Sequence, residues 1–231
     1  LNQKYLYFNR VDTYNDDKND SKQTMQAASI NKTKTFIHAP DFSVHDFFEQ
    51  ARKRSYACCF STINSDYIWD NYANNDPNSI CIVINYTKLI KFFEERLSSA
   101  IIKDQKEREI HGLPFCLNCG LIQYIDYVKD TIYRNNQIKY TYIKDNFYSK
   151  ENEFRLSLSG RTTGKYLSNG QEFCFPKSIL LDFDYNLAIR QGVIVRFLLS
   201  PHHKKNFFYK FKQMLSKQKI LSNLWHSIYL W

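Results

Sequence analysis

Residues 57–86 read ACCFSTINSDYIWDNYANNDPNSICIVINY, and three kinds of local pattern follow one another within this stretch. The apolar runs 56–60 and 80–84 are rich in β-branched and aromatic residues, the composition of buried strands. Between them Ser65 stands where an N-cap is expected, and Ile68, Trp69, Tyr72 and Ala73 fall at helical spacing on one face. The stretch therefore predicts a strand, a helix and a second strand, with the hydroxyls of Ser61 and Thr62 at the C-terminal end of the first strand. Mixed folds commonly place pockets at such strand ends. The aromatic helix with Trp69 and Tyr72 is equally well explained as plain core.

Working outward, residues 4–9 alternate and predict a strand, whereas 12–34 is polar and aperiodic, so a functional loop or ordered surface excursion is expected there. Ser43, with Asp46 three residues on, makes a shortened capping box for a helix with Val44, Phe47, Phe48 and Ala51 on one face. Arg52, Lys53 and Arg54 close its last turn, where cations suit the helix dipole. Downstream, Thr87 is expected to cap a helix reaching about Ser99, followed by a charged connection over 103–111. Strands are predicted at 121–128 and 138–143, and at 153–159, where Phe154, Leu156 and Leu158 alternate with Arg155, Ser157 and Ser159 as in a half-buried strand. Asn169-Gly170 predicts a hairpin within 164–175. Strands at 179–183 and 193–199 flank a short helix. Ser200-Pro201 is expected to start a last helix with Lys204, Lys205, Lys210, Lys212, Lys217 and Lys219 around Phe208, Phe211 and Leu215. The expectation is an α+β fold, one domain over residues 1–231, with a mixed central sheet flanked by helices.

The chain of 231 residues is long enough to bury one good core. Aromatic residues make up 16%, with only 6 Gly and 5 Pro, which excludes a disordered class. No run of about 18 apolar residues and no charged-then-apolar leader is visible, so neither a membrane partner nor secretion is expected. Several of Cys58, Cys59, Cys81, Cys116, Cys119 and Cys174 lie in strand-like runs, which points to reduced thiols and a cytoplasmic protein. The chain opens on Leu1 rather than Met, so a piece upstream, including an N-terminal strand, is expected to be missing. The 32 Lys and Arg against 23 Asp and Glu suit a polyanionic partner, and equally a plain basic surface.

Cys116 and Cys119 have metal-ligand spacing, but the only other close pair is His202-His203, so no metal site is expected. There is no Gly-rich phosphate loop and no nucleophile elbow. Glu151 and Glu153 are more informative, because residues two apart at the mouth of a strand direct both carboxylates to one side. Such a pair raises its own pKa values unless a cation joins it, and Arg155 is placed to be that cation.

Cys59-Phe60-Ser61, Trp69 with Tyr72-Ala73, the apolar run 80–84, and Lys144, Tyr148 and Glu153-Phe154-Arg155 are similar, in that order, to motifs of an uncharacterised bacterial domain-of-unknown-function family. Its signature is CFS, W-x-x-Y-A, a Gly before the next strand, and E-[WF]-R, and the similarity spans about Tyr7 to Leu199. The chain departs from it in carrying Asn78 or Ser79 where the Gly is usual. Phe60-Ser61-Thr62 and Glu151-Asn152-Glu153 also resemble the aromatic-Ser-Thr and Glu-x-Glu motifs of ADP-ribosyltransferases of the Arg–Ser–Glu class. Arg10 is the only Arg near the first strand, and it matches poorly.

The second resemblance implies an ADP-ribosyltransferase-like fold with NAD as donor, Glu153 as catalytic carboxylate, Glu151 engaging the acceptor and Ser61 positioning the ribose. Arg10, Thr62 and Arg155 would then bind the cofactor, with Trp69 or Tyr72 stacked on the nicotinamide. Loss of nicotinamide develops positive charge on the ribose, which a fixed carboxylate stabilises, and an Arg grips pyrophosphate bidentately. On this reading the chain is a bacterial toxin or phage-defence effector that modifies nucleic acid, RNA favoured, or protein, and is held in check by an antitoxin or chaperone. Two other readings stay open: a metal-independent ribonuclease using Glu153, Arg155 and a His, and a non-enzymatic nucleic-acid-binding or sensor module whose Glu/Arg pair is structural.

Overall fold

The computed structural model describes residues 4–14, 20–97, 102–104, 106, 108–110, 115–134, 136–160, 165–168, 171–217 and 228–229, with the backbone alone for 165–168, 171–174, 217 and 228–229. The chain runs through β1 (Tyr5–Arg10), a 3-10 turn (Val11–Thr13), α1 (Met25–Lys32), β2 (Thr35–Phe36), β3 (Ala39–Ser43), α2 (Val44–Arg52) and β4 (Ser55–Ser61). Next come α3 (Asp66–Tyr72), β5 (Ile80–Ile84), α4 (Tyr86–Glu94), β6 (Ile102–Asp104), β7 (Phe115–Leu121) and β8 (Gln123–Ile125). A 3-10 turn (Gln137–Tyr142), β9 (Ile143–Asp145) and a second 3-10 turn (Asn146–Glu151) lead into β10 (Glu153–Gly160). The rest is β11 (Lys165–Ser168), β12 (Gln171–Cys174), β13 (Ser178–Asp182), α5 (Tyr185–Arg190), β14 (Ile194–Leu199), α6 (Lys205–Lys217) and β15 (Ile228–Tyr229).

These elements gather into two compact units, one of Leu6–Ile63 and Ile101–Leu181, the other of Leu1–Tyr5, Asn64–Ala100 and Asp182–Trp231. The first holds a six-stranded sheet in the order β6-β13-β1-β4-β10-β7. Its pairs β1/β4, β4/β10, β10/β7 and β13/β6 are antiparallel, where a mixed sheet was expected. Parallel pairing occurs instead in the small sheets β8/β9 and β14/β15. In the second unit β14 pairs antiparallel with β5 and parallel with β15. The rings of Phe92 and Phe93 from α4 meet Phe183 there at centroid distances of 5.4 and 5.9 Å.

The expected strand, helix and strand of residues 56–84 are thus divided between the units. Residues 80–84 do form a strand, but its partner is β14, more than a hundred residues later. Apolar periodicity marks a strand without naming its neighbour. Other expectations shift for local reasons. Asn85 rather than Thr87 caps α4, its side chain accepting from the Lys88 amide at 3.1 Å, and the helix ends at Glu94. Residues 138–143 are mostly a 3-10 turn because the Asn136 side chain accepts from the Ile138 amide and nucleates it. The polar stretch 12–34 contains α1, capped by Thr24. Ser43 and Asp46 make the expected capping box. Asn169-Gly170 lies outside the described residues, but the strands on either side pair, with Ser168 opposite Gln171.

β10 is the axis of the first unit, paired with β4 on one side and β7 on the other. The half-buried strand expected here is buried on both faces: Leu156 and Leu158 on one, Arg155 and Ser157 on the other. At its far end Gly160 lies against Phe175, whose ring is wedged against Tyr56 and Phe115. A Cβ on Gly160 would stand 2.6 Å from the Phe175 ring, and those neighbours leave the ring nowhere to go. Gly160→Ala is therefore expected to cost about 1–3 kcal/mol of stability in urea unfolding, and Phe175→Leu in the same chain to recover part of it.

Candidate functional site

Five charged side chains meet beside the Glu153 end of β10, all within the first unit: Asp20, Lys144, Glu151, Glu153 and Arg155. Every one is buried, with Arg155 at 0% exposure and Glu151 and Glu153 at 4%. Burying an isolated ion costs several kcal/mol, so such a group survives only when each charge is paired and each donor answered.

Arg155 meets that condition fully. Its Nη1 donates to Asp20 Oδ1 at 2.8 Å, Ser21 Oγ at 2.7 Å and the Thr141 carbonyl at 2.7 Å. Nη2 donates to Asp20 Oδ2 at 2.7 Å and Glu153 Oε2 at 3.2 Å, and Nε donates to Glu153 Oε1. All five N–H groups of a guanidinium are thereby engaged. The Tyr14 ring, centred 5.3 Å away, covers the guanidinium. Lys144 binds Glu151 through a close ion pair, lies 3.2 Å from Glu153 Oε2 and 3.6 Å from Asp20 Oδ2, and faces the Tyr148 ring at 4.8 Å.

Local backbone geometry delivers these groups. Glu151 ends a 3-10 turn rather than lying on the strand, and Asn152 follows in the left-handed region at φ 44°, a conformation Asn tolerates. That single residue turns the chain so that both carboxylates converge on Lys144. The sequence spacing anticipated their convergence, but for the wrong reason. Ser61 is directly opposite Glu153 in the β4/β10 register. Its Oγ lies 2.8 Å from the Glu151 carbonyl, and Thr62 Oγ1 donates to the Asn152 carbonyl at 2.9 Å. The two hydroxyls clamp the Glu-Asn-Glu backbone from the neighbouring strand. Asp20 arrives through a bridge to Lys144, with the Ser21 amide donating to the Ile143 carbonyl at 2.9 Å.

Burial alone would raise the Glu153 carboxyl, but the Arg155 guanidinium beside it, with Lys144, holds it down to about 2 from an ordinary 4.5. Burial alone would discharge Lys144, yet Glu153, Asp20 and Glu151 raise its pKa instead. Neither group exchanges a proton near neutral pH. The cluster sets three acidic side chains against two basic ones. Its chemistry is therefore electrostatic rather than general acid–base.

Other expected site residues fall elsewhere. Arg10 is opposite Tyr56, five residues along β4 from Ser61, or about 17 Å at strand rise. Its guanidinium binds Asp12 at 2.6 Å and the Phe175 carbonyl. The structure does not bring Arg10 to the Glu153 end, and Arg155 has no donor left for a pyrophosphate. Trp69 and Tyr72 belong to the other unit, where Trp69 is 4% exposed and donates its indole N–H to Asn64 at 2.8 Å. Tyr72 is exposed. Cys116 faces Ser159 and Cys119 faces Leu156 across β7/β10, on opposite sides of the sheet, so the two thiols cannot share an ion. Among the described residues no group of three or more His, Cys, Asp or Glu side chains is arranged to hold a metal.

Asp20 was not anticipated from sequence, and Lys144 was singled out there as a motif residue but not as the partner of these carboxylates. The pairing of a buried Arg with a second carboxylate was the only available clue, and nothing in the aperiodic stretch 12–34 singled out which acid. Comparison with protein-family models, curated proteins and solved structures finds no match. No described helix is long and apolar enough to cross a membrane.

Two measurements follow from this geometry. Arg155→Met leaves Asp20 and Glu153 buried with too few cations and is expected to cost about 3–5 kcal/mol in chemical unfolding. A variant as stable as the parent would show that the cluster is open to water. The depressed Glu153 carboxyl contributes stability that is complete above about pH 4.5 and lost as pH falls through about 2. The melting temperature of Glu153→Gln is accordingly expected to fall less steeply than that of the parent between those two values.

Proposed function

We propose that the charged centre supports ADP-ribosyl transfer from NAD, with Glu153 and Glu151 supplying the negative charge that stabilises the ribosyl cation as nicotinamide departs. The observation that carries this reading is the junction of Ser61-Thr62 with Glu151-Asn152-Glu153 on adjacent strands, with Glu153 held ionised. A preorganised anion of this kind is worth on the order of 3–4 kcal/mol to a cationic transition state. Lys144 and Arg155 act as positioning residues that fix the carboxylates, and Ser61 and Thr62 fix the backbone between them. The exposed Ser61, Thr62 and Asn152 form the face through which a substrate approaches.

The fit to NAD is one-sided. The acidic centre suits the cationic nicotinamide and the ribosyl cation, whereas neither Arg10 nor Arg155 is available for the pyrophosphate. The proton-transfer groups that a metal-independent ribonuclease needs are not found at Glu153 and Lys144, and the described contacts of His45 and His203 are to Gln23 and Ser200. A second reading is favoured by the saturation of Arg155: the cluster is purely structural, and the chain is a non-enzymatic binding or sensor module.

Glu151→Gln separates the two, because it removes one carboxylate while Lys144 keeps Glu153 and Asp20 as partners. NAD consumption by the parent protein, falling about a hundred-fold or more in Glu151→Gln at nearly unchanged melting temperature, is the expected outcome. A parent protein that consumes no NAD above the buffer rate leaves the structural reading.

A further inference from the structure

The charge of this chain is distributed very unevenly. All 23 acidic residues lie at or before Asp184, and the 47 residues that follow contain eight Lys and Arg and no Asp or Glu. The formal net charge of +9 is therefore almost entirely the property of this final segment. Much of it falls on and beside α6, where Lys204 just before the helix, its first residue Lys205 and Lys210 are exposed.

The apolar side of α6 is already occupied. Phe211 and Leu215 are 4% and 0% exposed, and Phe211 packs edge-on against Phe197 of β14 at 5.6 Å. A helix that lies in a membrane surface needs its apolar face for the acyl region, and here that face is committed to the core. The opposite face is polar but not only charged. Tyr209 stands near its middle, 67% exposed. Residues three and four away on a helix are its neighbours, which places Lys205 and Asn206 before it and Lys212 and Gln213 after it.

We propose that this face of α6 binds single-stranded RNA. Lysines along a helix about 20 Å long match a run of phosphates, and an exposed tyrosine among them offers a stacking platform for an unpaired base. The amides of Asn206 and Gln213 supply the donor and acceptor pairs that a ribose 2′-hydroxyl uses. The proposal stands on charge and exposure in α6 alone, and holds whether or not the buried carboxylates turn NAD over.

The test is fluorescence anisotropy of the full chain with a labelled oligouridylate of about 20 nucleotides, between about 50 and 200 mM salt. Binding is expected to weaken steeply with salt. The triple variant Lys204→Gln, Lys205→Gln and Lys210→Gln is expected to reduce the slope of log affinity against log salt by about 2, and to bind at least about tenfold more weakly at the low end. Tyr209→Ala is expected to lose about tenfold with its salt slope unchanged. All four side chains are exposed, so melting temperatures should match the parent and separate lost binding from lost folding. Failure of the parent to bind, or unchanged binding in both variants, overturns the proposal. Tighter binding to a duplex, to an equal-length deoxyuridylate or to anionic lipid vesicles overturns the assignment to single-stranded RNA.

Discussion

A guanidinium with no exposure to water is buried in the first unit, and the arrangement around it follows from the need to satisfy it. Arg155 lies on a strand paired on both sides and is fully buried, so its side chain does not reach solvent. Its five donors must find acceptors inside the protein or the strand cannot stay where it is. Glu153 answers from the same strand, Asp20 and Ser21 from the segment after β1, and Thr141 from a 3-10 turn. Three stretches far apart in sequence are thereby tied to one atom group. The second carboxylate oxygens of Glu153 and of Asp20 then draw in Lys144, and Lys144 draws in Glu151.

A centre built this way has a definite chemical character. Its ion pairs are mutually reinforcing, and neither Glu153 nor Lys144 is ready to give or take a proton at neutral pH. That suits the stabilisation of a developing cation and suits proton relay poorly. It also means that the residues with the largest electrostatic effect have structural duties at the same time, so loss of activity and loss of stability are distinguishable only at positions such as Glu151, where the remaining network stays paired. Ser61 and Thr62 belong to the same arrangement by a different route: their hydroxyls hold backbone carbonyls, which fixes the turn that presents the two glutamates.

What local sequence carries is most evident where short-range physics decides the outcome. The capping box of Ser43 and Asp46 and the strands at 80–84 and 153–159 all depend on residues within a few positions of one another, and all appear at the expected places. Expectations moved where two local signals compete. Asn85 caps α4 in place of Thr87, and residues 138–143 turn because of Asn136 although their composition suits a strand. Of the candidate site, the convergence of Glu151, Glu153 and Arg155 was legible from spacing, while Asp20 was hidden in a stretch with no periodicity and Arg10 proved to serve the opposite end of β4.

By itself the sequence determined that Ser43 and Asp46 cap a helix, that 80–84 and 153–159 are strands, and that the positive charge accumulates after Asp184, because capping, periodicity and charge are properties of neighbours along the chain. Only the tertiary structure decided that β4 and β5 join different sheets, that the polar face of β10 is buried, and which carboxylate completes the shell of Arg155. Those outcomes depend on partners tens to more than a hundred residues away, selected by the cost of leaving a buried charge or a strand edge unanswered, and no local pattern encodes that selection.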